Sequence, residues 1–285
     1  MSWLHPAGSL RDGPDPLRLT PEHAGWSYCG LRVLALAPGE ERTVSLGDTE
    51  GAVVPLSGSC RVSGPDFVFD LEGRSSVFAA LTDVCYLPLG TDATVSSVGG
   101  GRFALATSVA EEVRPARHHR AADVAVEIRG AGQASRQING LLSADVAGPQ
   151  RLIVVEVITP AGNWSSYPPH KHDEATETET PLEEIYYFEV DGGAGFALHR
   201  TYTPDGTVDE TVTVGAGDVF VIPHGYHGPT VAAPGYDLYY LNVMAGPDPE
   251  RRWLICTDPD HAWLLEAWEG TTTDPRLPMY GEERS

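Results

Sequence analysis

The residues best suited to chemistry fall in three short blocks. The first is Trp164-Ser-Ser-Tyr-Pro-Pro-His170-Lys171-His172-Asp173. In an extended strand, residues i and i+2 project from the same face, so His170 and His172 point together and their imidazoles can share one metal ion. The second block, Leu182-Glu183-Glu184-Ile-Tyr186-Tyr-Phe188, opens the next strand with a carboxylate. Glu184 is the expected ligand and Glu183 its rival. In the third block, Gly215-Ala-Gly217-Asp-Val-Phe-Val-Ile-Pro223-His224-Gly225-Tyr-His227, turn residues flank a short apolar strand. His227 stands where the following strand restarts and is preferred over His224. Neutral imidazoles plus one carboxylate form a normal shell for Zn, Mn, Fe or Ni, and zinc is favoured. An HxH pair alone is usually two ordinary histidines. It is the conjunction of the three blocks that points to a metal site.

Residues near these ligands supply candidates for proton transfer. Tyr186 shares a face with Glu184 and is either a core ring or a pocket hydroxyl. Glu183 and Lys171 are the other candidate bases, although strand alternation turns Lys171 away from the metal. Lys171 is the only lysine among 19 basic residues, a scarcity that codon bias explains without explaining its position. The acidic insert Asp173 to Pro181 reads as a solvated loop able to cover the pocket.

These side chains need a β framework, and the rest of the chain reads as one. The chain has 285 residues, 41% of them hydrophobic, with abundant Gly and Pro between short Val/Ile/Tyr/Phe runs. Strands are expected at 31–36, 51–56, 60–62, 67–71, 84–87 and 103–106. After the polar connector Arg114 to Arg120 they resume at 124–128, 151–159, 184–190, 195–199, 210–214, 218–222 and 238–244. "Ala-Pro-Gly-Glu-Glu" at 37–41 and "Thr-Pro-Ala-Gly-Asn" at 159–163 each follow an apolar strand, hinting at a duplicated barrel. The Gly130-Ala-Gly132 stretch lacks the third glycine and the βαβ rhythm of a dinucleotide loop, so it is read as a turn. The tail, 281–285, is expected to be loose.

Composition narrows the function classes. The 19 basic and 40 acidic residues leave a formal net charge of −21, which disfavours nucleic acid and anionic lipid as partners. A few local arginines can still receive an acidic substrate. No apolar run is long enough to span a bilayer, and the first residues carry no secretory pattern, so a cytoplasmic location is expected. The four scattered cysteines are read as buried thiols, not as disulfides or zinc ligands.

The three blocks match the cupin motifs: His-x-His, a Glu on the next strand, then Gly217-x5-Pro223-x-Gly225 leading to a His. The Glu comes after eleven intervening residues, more than cupins usually have, and the last His comes one residue early. "Ser-Ser-Tyr-Pro-Pro-His-Lys-His-Asp", "Leu-Glu-Glu-Ile-Tyr-Tyr-Phe", "Pro-His-Gly-Tyr-His" and "Tyr-Tyr-Leu-Asn-Val-Met-Ala-Gly" together resemble the 5-deoxy-glucuronate isomerase family of myo-inositol catabolism, related to the uronate ketol-isomerases. The resemblance implies an all-β bicupin of two β-barrel (jelly-roll) domains. Residues 1–120 would be a degenerate first domain and residues 121–285 the metal-binding one. It also implies a homo-oligomer, and conversion of 5-deoxy-D-glucuronate to 2-deoxy-5-keto-D-gluconate by metal-assisted enediolate proton transfer. The uronate carboxylate calls for an arginine. Arg200, Arg251 and Arg252 are the candidates nearest in sequence. An iron dioxygenase built on the same site is the alternative enzyme, and a sugar-binding storage cupin the non-enzymatic one.

Overall fold

A computed structural model describes residues 3–280; the expectation for the tail lies outside them. The chain forms two antiparallel β units packed side by side. In the first, one sheet runs in the order Arg117–His119, Val84–Leu87, Thr49–Gly64, Gly101–Val109, Cys29–Leu36, Leu17–Leu19. Strands Glu41–Ser45, Phe67–Arg74 and Asp92–Ser96 fold over it. In the second, a sheet ordered Leu4–His5, Val219–Ile222, Glu183–Val190, Leu238–Ala245, Ile153–Thr159, Arg136–Leu142, Ala125–Arg129 faces a smaller one. The smaller sheet is ordered Asp209–Val214, Ala197–Tyr202, Tyr226–Ala232, His170–Lys171, Cys256–Thr257. The start of the chain thus pairs with the second unit, through Leu4 and His5 opposite Phe220 and Val219.

One expected turn is absent. Two short strands separated near residue 58 were anticipated, but Thr49–Gly64 runs through as a single strand. It is bent by register shifts on either side of Gly58. Gly58 has φ +85°, and a Cβ there would sit 2.4 Å from the Gly100 carbonyl oxygen. Glycine therefore marks a bulge here and not a chain reversal. Gly130 to Gly132 do form a turn, joining Ala125–Arg129 to Arg136–Leu142.

Alternation along Glu183–Val190 shows how the two units share a wall. Ile185 and Tyr187 belong to the core between the units, with Leu31, Val54, Tyr239 and Val243. Tyr186 and Phe188 face the interior of the second unit, with Ile153, Phe220 and Tyr240. The interior of the first unit is apolar, filled by residues such as Leu34, Val53, Val62 and Phe103, and among the described residues it offers no cluster of three or more ligand side chains.

Three carboxylates stitch the units together. Glu50 accepts backbone N–H groups from Gln150, Arg151 and Leu152 and the hydroxyl of Tyr86. Glu183 accepts those of Ser27, Tyr28 and Cys29. Glu156 pairs with Arg74, both side chains being wholly buried, and also accepts from Tyr239 and Asn139. Buried charge is tolerated when it is fully hydrogen-bonded, as here.

Candidate metal centre

The second unit brings the three sequence blocks together. His170–Lys171 is a strand of only two residues, and His170 lies opposite His227 on Tyr226–Ala232. His172 falls just beyond the strand and is held by two bonds to one residue: Leu182 N–H donates to its carbonyl oxygen, and its Nδ1 lies 3.0 Å from the Leu182 carbonyl. Glu184 enters from Glu183–Val190, its Oε2 2.9 Å from His172 Nε2 and 3.1 Å from His227 Nε2. His172, Glu184 and His227 form a buried group whose ligand atoms all lie within 4.8 Å of one another, and it could hold a metal ion. His170 stands at its edge, its ring centroid 4.4 Å from that of His227 and 6.4 Å from that of His172. His224 is exposed and packs edge-on against Trp3 instead.

The donor chemistry suits a cation. Each of the three imidazoles directs Nδ1 at a backbone carbonyl: Pro168 for His170, Leu182 for His172 and Gly225 for His227. With Nδ1 donating there, a ring can turn an Nε2 lone pair toward a cation, the usual arrangement behind a ligating histidine. His227 Nε2 is buried and makes no well-aligned hydrogen bond, with Glu184 Oε2 3.1 Å away, which leaves the ring and the carboxylate able to take a cation between them. Burial, with help from His227, pulls the pKa of His170 well down, so that ring is neutral. Burial alone would raise that of Glu184, but His172 and His227 outweigh it and hold it well below the carboxylate range.

Around this group lies a small cavity lined by Arg136, Ser166, His170, Glu184, Tyr186 and Asn242, among others. Ser166 Oγ is 3.1 Å from the hydroxyls of both Tyr186 and Tyr240. Its close approach depends on Gly228 (φ +99°), where a Cβ would fall 1.7 Å from the Ser166 carbonyl oxygen. His199, which sequence reasoning passed over, is buried beside Tyr186. Thr230 and Thr201 satisfy both its ring nitrogens, and burial pushes its pKa down to about 3, the profile of a core histidine.

Of the three candidate bases, only Tyr186 reaches the cavity. Both Glu183 oxygens are taken by the first unit's backbone. Lys171 Nζ is 2.7 Å from Asp173, 3.0 Å from Glu174 and 2.9 Å from Glu179, which fastens the acidic insert. Asp173 in turn accepts the Gly225 N–H at 2.7 Å, tying the first histidine block to the third. Replacing Lys171 with Met should therefore weaken the uptake of an added divalent ion by this group about ten- to a hundredfold, as loss of outer support does. It should also speed amide exchange across 173–181. Chelator competition and exchange mass spectrometry test this, and wild-type values in both would refute the clasp.

None of the three arginine candidates comes to the cavity. Arg200 pairs with Asp209 across a hairpin on the surface. Arg252 is exposed and pairs with Asp248. Arg251 donates to backbone carbonyls of Ser143, Ala144, Val146, Pro149 and Leu152. The arginines that do line it are Arg129 and Arg136. Neither was singled out, because they lie far from the histidine blocks in sequence. Asn242 was detectable as the one amide in the otherwise apolar strand Leu238–Ala245.

The fold and the site together define a two-domain cupin with a group able to hold a metal in its second barrel. Lactobacillus farciminis oxalate decarboxylase, solved as a formate complex, shares the architecture with a TM-score of 0.61 over 84% of this chain and 82% of that one. At 15% identity that likeness is one of fold. The chain belongs to the KduI/IolB family, whose profile matches residues 3–264. An IolB-like protein from Salmonella typhimurium LT2 superposes with a TM-score of 0.87 and 36% identity, covering 92% of this chain and 98% of that one. The 5-deoxy-glucuronate isomerase of Geobacillus kaustophilus is 40% identical over 265 residues, 92% of this chain and 95% of its own. That of Bacillus subtilis strain 168 is 40% identical over 251 residues, 87% and 92% of the two chains.

Proposed function

We propose that this protein is a 5-deoxy-glucuronate isomerase of myo-inositol degradation, turning 5-deoxy-D-glucuronate into 2-deoxy-5-keto-D-gluconate. The buried His172–Glu184–His227 group carries the reading, in a chain 40% identical to isomerases of that name over nearly its whole length. In this reading residues 121–285 perform the chemistry and residues 1–120 buttress them. One divalent cation, zinc in the first instance, would be held by His170, His172, Glu184 and His227. When bound it would supply Lewis-acid polarisation of the C1 carbonyl.

The reaction moves two protons. The C2 hydrogen leaves as a proton, its electron pair passes into an enediolate, and a proton is returned to C1; the C2 hydroxyl proton passes to the oxygen on C1. Tyr186 is the residue we assign to the second transfer. Burial, reinforced by Glu184, holds its pKa well above the ordinary value. A neutral hydroxyl backed by Ser166 and Tyr240 is suited to giving and taking an oxygen-bound proton, less so to stripping carbon. The cavity, about 30 Å³, is of the order of a single water, so a sugar acid must displace part of its wall. Trp253 is the element we expect to move, because its buried Nε1 makes no hydrogen bond.

The decisive measurement is proton NMR of 5-deoxy-glucuronate incubated with metal-replete protein. The C1 resonances should give way to those of a hydroxymethyl ketone. Unchanged substrate, with metal content verified on the same sample, rejects the assignment.

A further inference from the structure

We propose that Arg136 binds the terminal carboxylate of the substrate, holding the sugar acid with its carbonyl end toward the histidine group. The assignment rests on the isomerase reading for the identity of the anion, but the need for an anion comes from the protein itself. Arg136 begins the strand Arg136–Leu142, is 9% exposed, and lines the same cavity as His170, Glu184 and Tyr186. Among the described residues, its guanidinium makes one hydrogen bond, from Nη1 to the Ala134 carbonyl at 3.3 Å, and no ion pair.

The other buried and half-buried arginines with inward guanidinium groups are treated differently. Arg74 has Glu156. Arg151 has the carbonyls of Gly246 and Asp248 together with Glu111. Arg251 has its cage of carbonyls. Arg136 instead has a second cation directly across the ladder, since Arg129 is its register partner. Like charges opposite each other in a sheet repel. Arg129 is neutralised by a two-point contact with Glu127 at 2.7 and 2.9 Å, which leaves Arg136 as the unbalanced charge. Burial depresses its pKa, and Arg129 adds to the effect.

The local chain is shaped around this guanidinium. At Gly130 (φ +78°) a Cβ would fall 2.8 Å from Arg136 Nη1 and 2.1 Å from the Ala134 carbonyl oxygen. Any larger residue would collide with that carbonyl, the one that Nη1 bonds. Keeping an unpaired guanidinium in a closed pocket is costly unless an anion arrives to match its planar fork, and a carboxylate does so with two parallel bonds.

Two inert ligands separate this role from a structural one. The first is the open-chain acid made by reducing the aldehyde of 5-deoxy-glucuronate to an alcohol. The second is the neutral polyol in which the carboxylate is also reduced. Calorimetry on metal-loaded wild-type protein should show the acid preferred by about a hundredfold, in line with a desolvated charge-assisted pair. In Arg136→Met that preference should collapse to a few-fold, with metal content and Tm as folding controls. Arg136→Lys, which keeps the charge but not the fork, should retain about a tenth of it. An acid preference that survives in Arg136→Met, or is missing in the wild type, overturns the proposal. Failure of the isomerase reading looks different: the acid preference and its loss in the variant remain, but no substrate is turned over.

Discussion

Replacing Glu184 with Gln should abolish the uptake of a divalent ion by the histidine group and lower kcat/KM for isomerisation about a thousandfold or more. Glu184 is the sole anionic member of the buried group and stands within 3.1 Å of two imidazole nitrogens. It lies at 2% exposure, so a divalent ion seated there gives up most of its hydration. Three imidazoles cannot offset that loss of solvation without the carboxylate. Lewis-acid stabilisation of the developing oxyanion contributes several kcal/mol, and each 1.36 kcal/mol is tenfold in rate, hence the expected thousandfold. Gln keeps the volume and one acceptor oxygen, so the barrel should stay folded and the defect should be one of charge. Metal analysis and NMR turnover on the purified variant test this. A stoichiometric metal content with wild-type turnover would show that the ion, if any, is held elsewhere.

The second large effect is expected away from that group, at Arg74 and Glu156. This pair joins a strand of one barrel to a strand of the other, with both side chains at 0% exposure. The surrounding hydrogen bonds to Tyr239, Asn139 and the Pro55 and Ala80 carbonyls leave little room for water to compensate. Arg74→Met or Glu156→Gln alone strands one uncompensated buried charge or breaks its network, and should cost about 3–5 kcal/mol. The double variant should recover much of the loss, because no charge is then left unpaired. Urea denaturation of the three variants decides it: single variants within 1 kcal/mol of the wild type would mean that solvent reaches the pair after all.

The two effects report on separate parts of the molecule. Glu184 and Glu156 lie on neighbouring parts of one sheet, with Leu238–Ala245 between their strands, yet one faces the second barrel's cavity and the other the seam between barrels. Strand alternation separates the roles. Within Glu183–Val190 the same rule sends Glu184 and Tyr186 to the cavity while Glu183 and Tyr187 turn toward the first barrel.

What can be read from residue order alone is what alternation and turn chemistry control over a few positions. The all-β class follows from Gly- and Pro-punctuated apolar runs. His172, Glu184 and His227 were visible because each lies at the edge of a recognisable strand or turn, and residues two apart on a strand share a face whatever the strand packs against. Even there the prediction was approximate. The His170 strand is only two residues long, and past its end His172 turns toward Glu184 while His170 leans on His227. Arg136–Leu142 was missed because all seven of its residues are buried; with both faces covered it shows no polar–apolar alternation, and the side chain with the unbalanced charge went unseen. Proximity in sequence likewise misdirected the arginine assignment, since Arg200 and Arg252 find acids on their own hairpin or turn. Which cation ends beside the metal group is set by the cross-strand register of Ala125–Arg129 against Arg136–Leu142 and by the turn at Gly130. Register is a long-range choice, made when two sheets close over one core, and no local pattern encodes it.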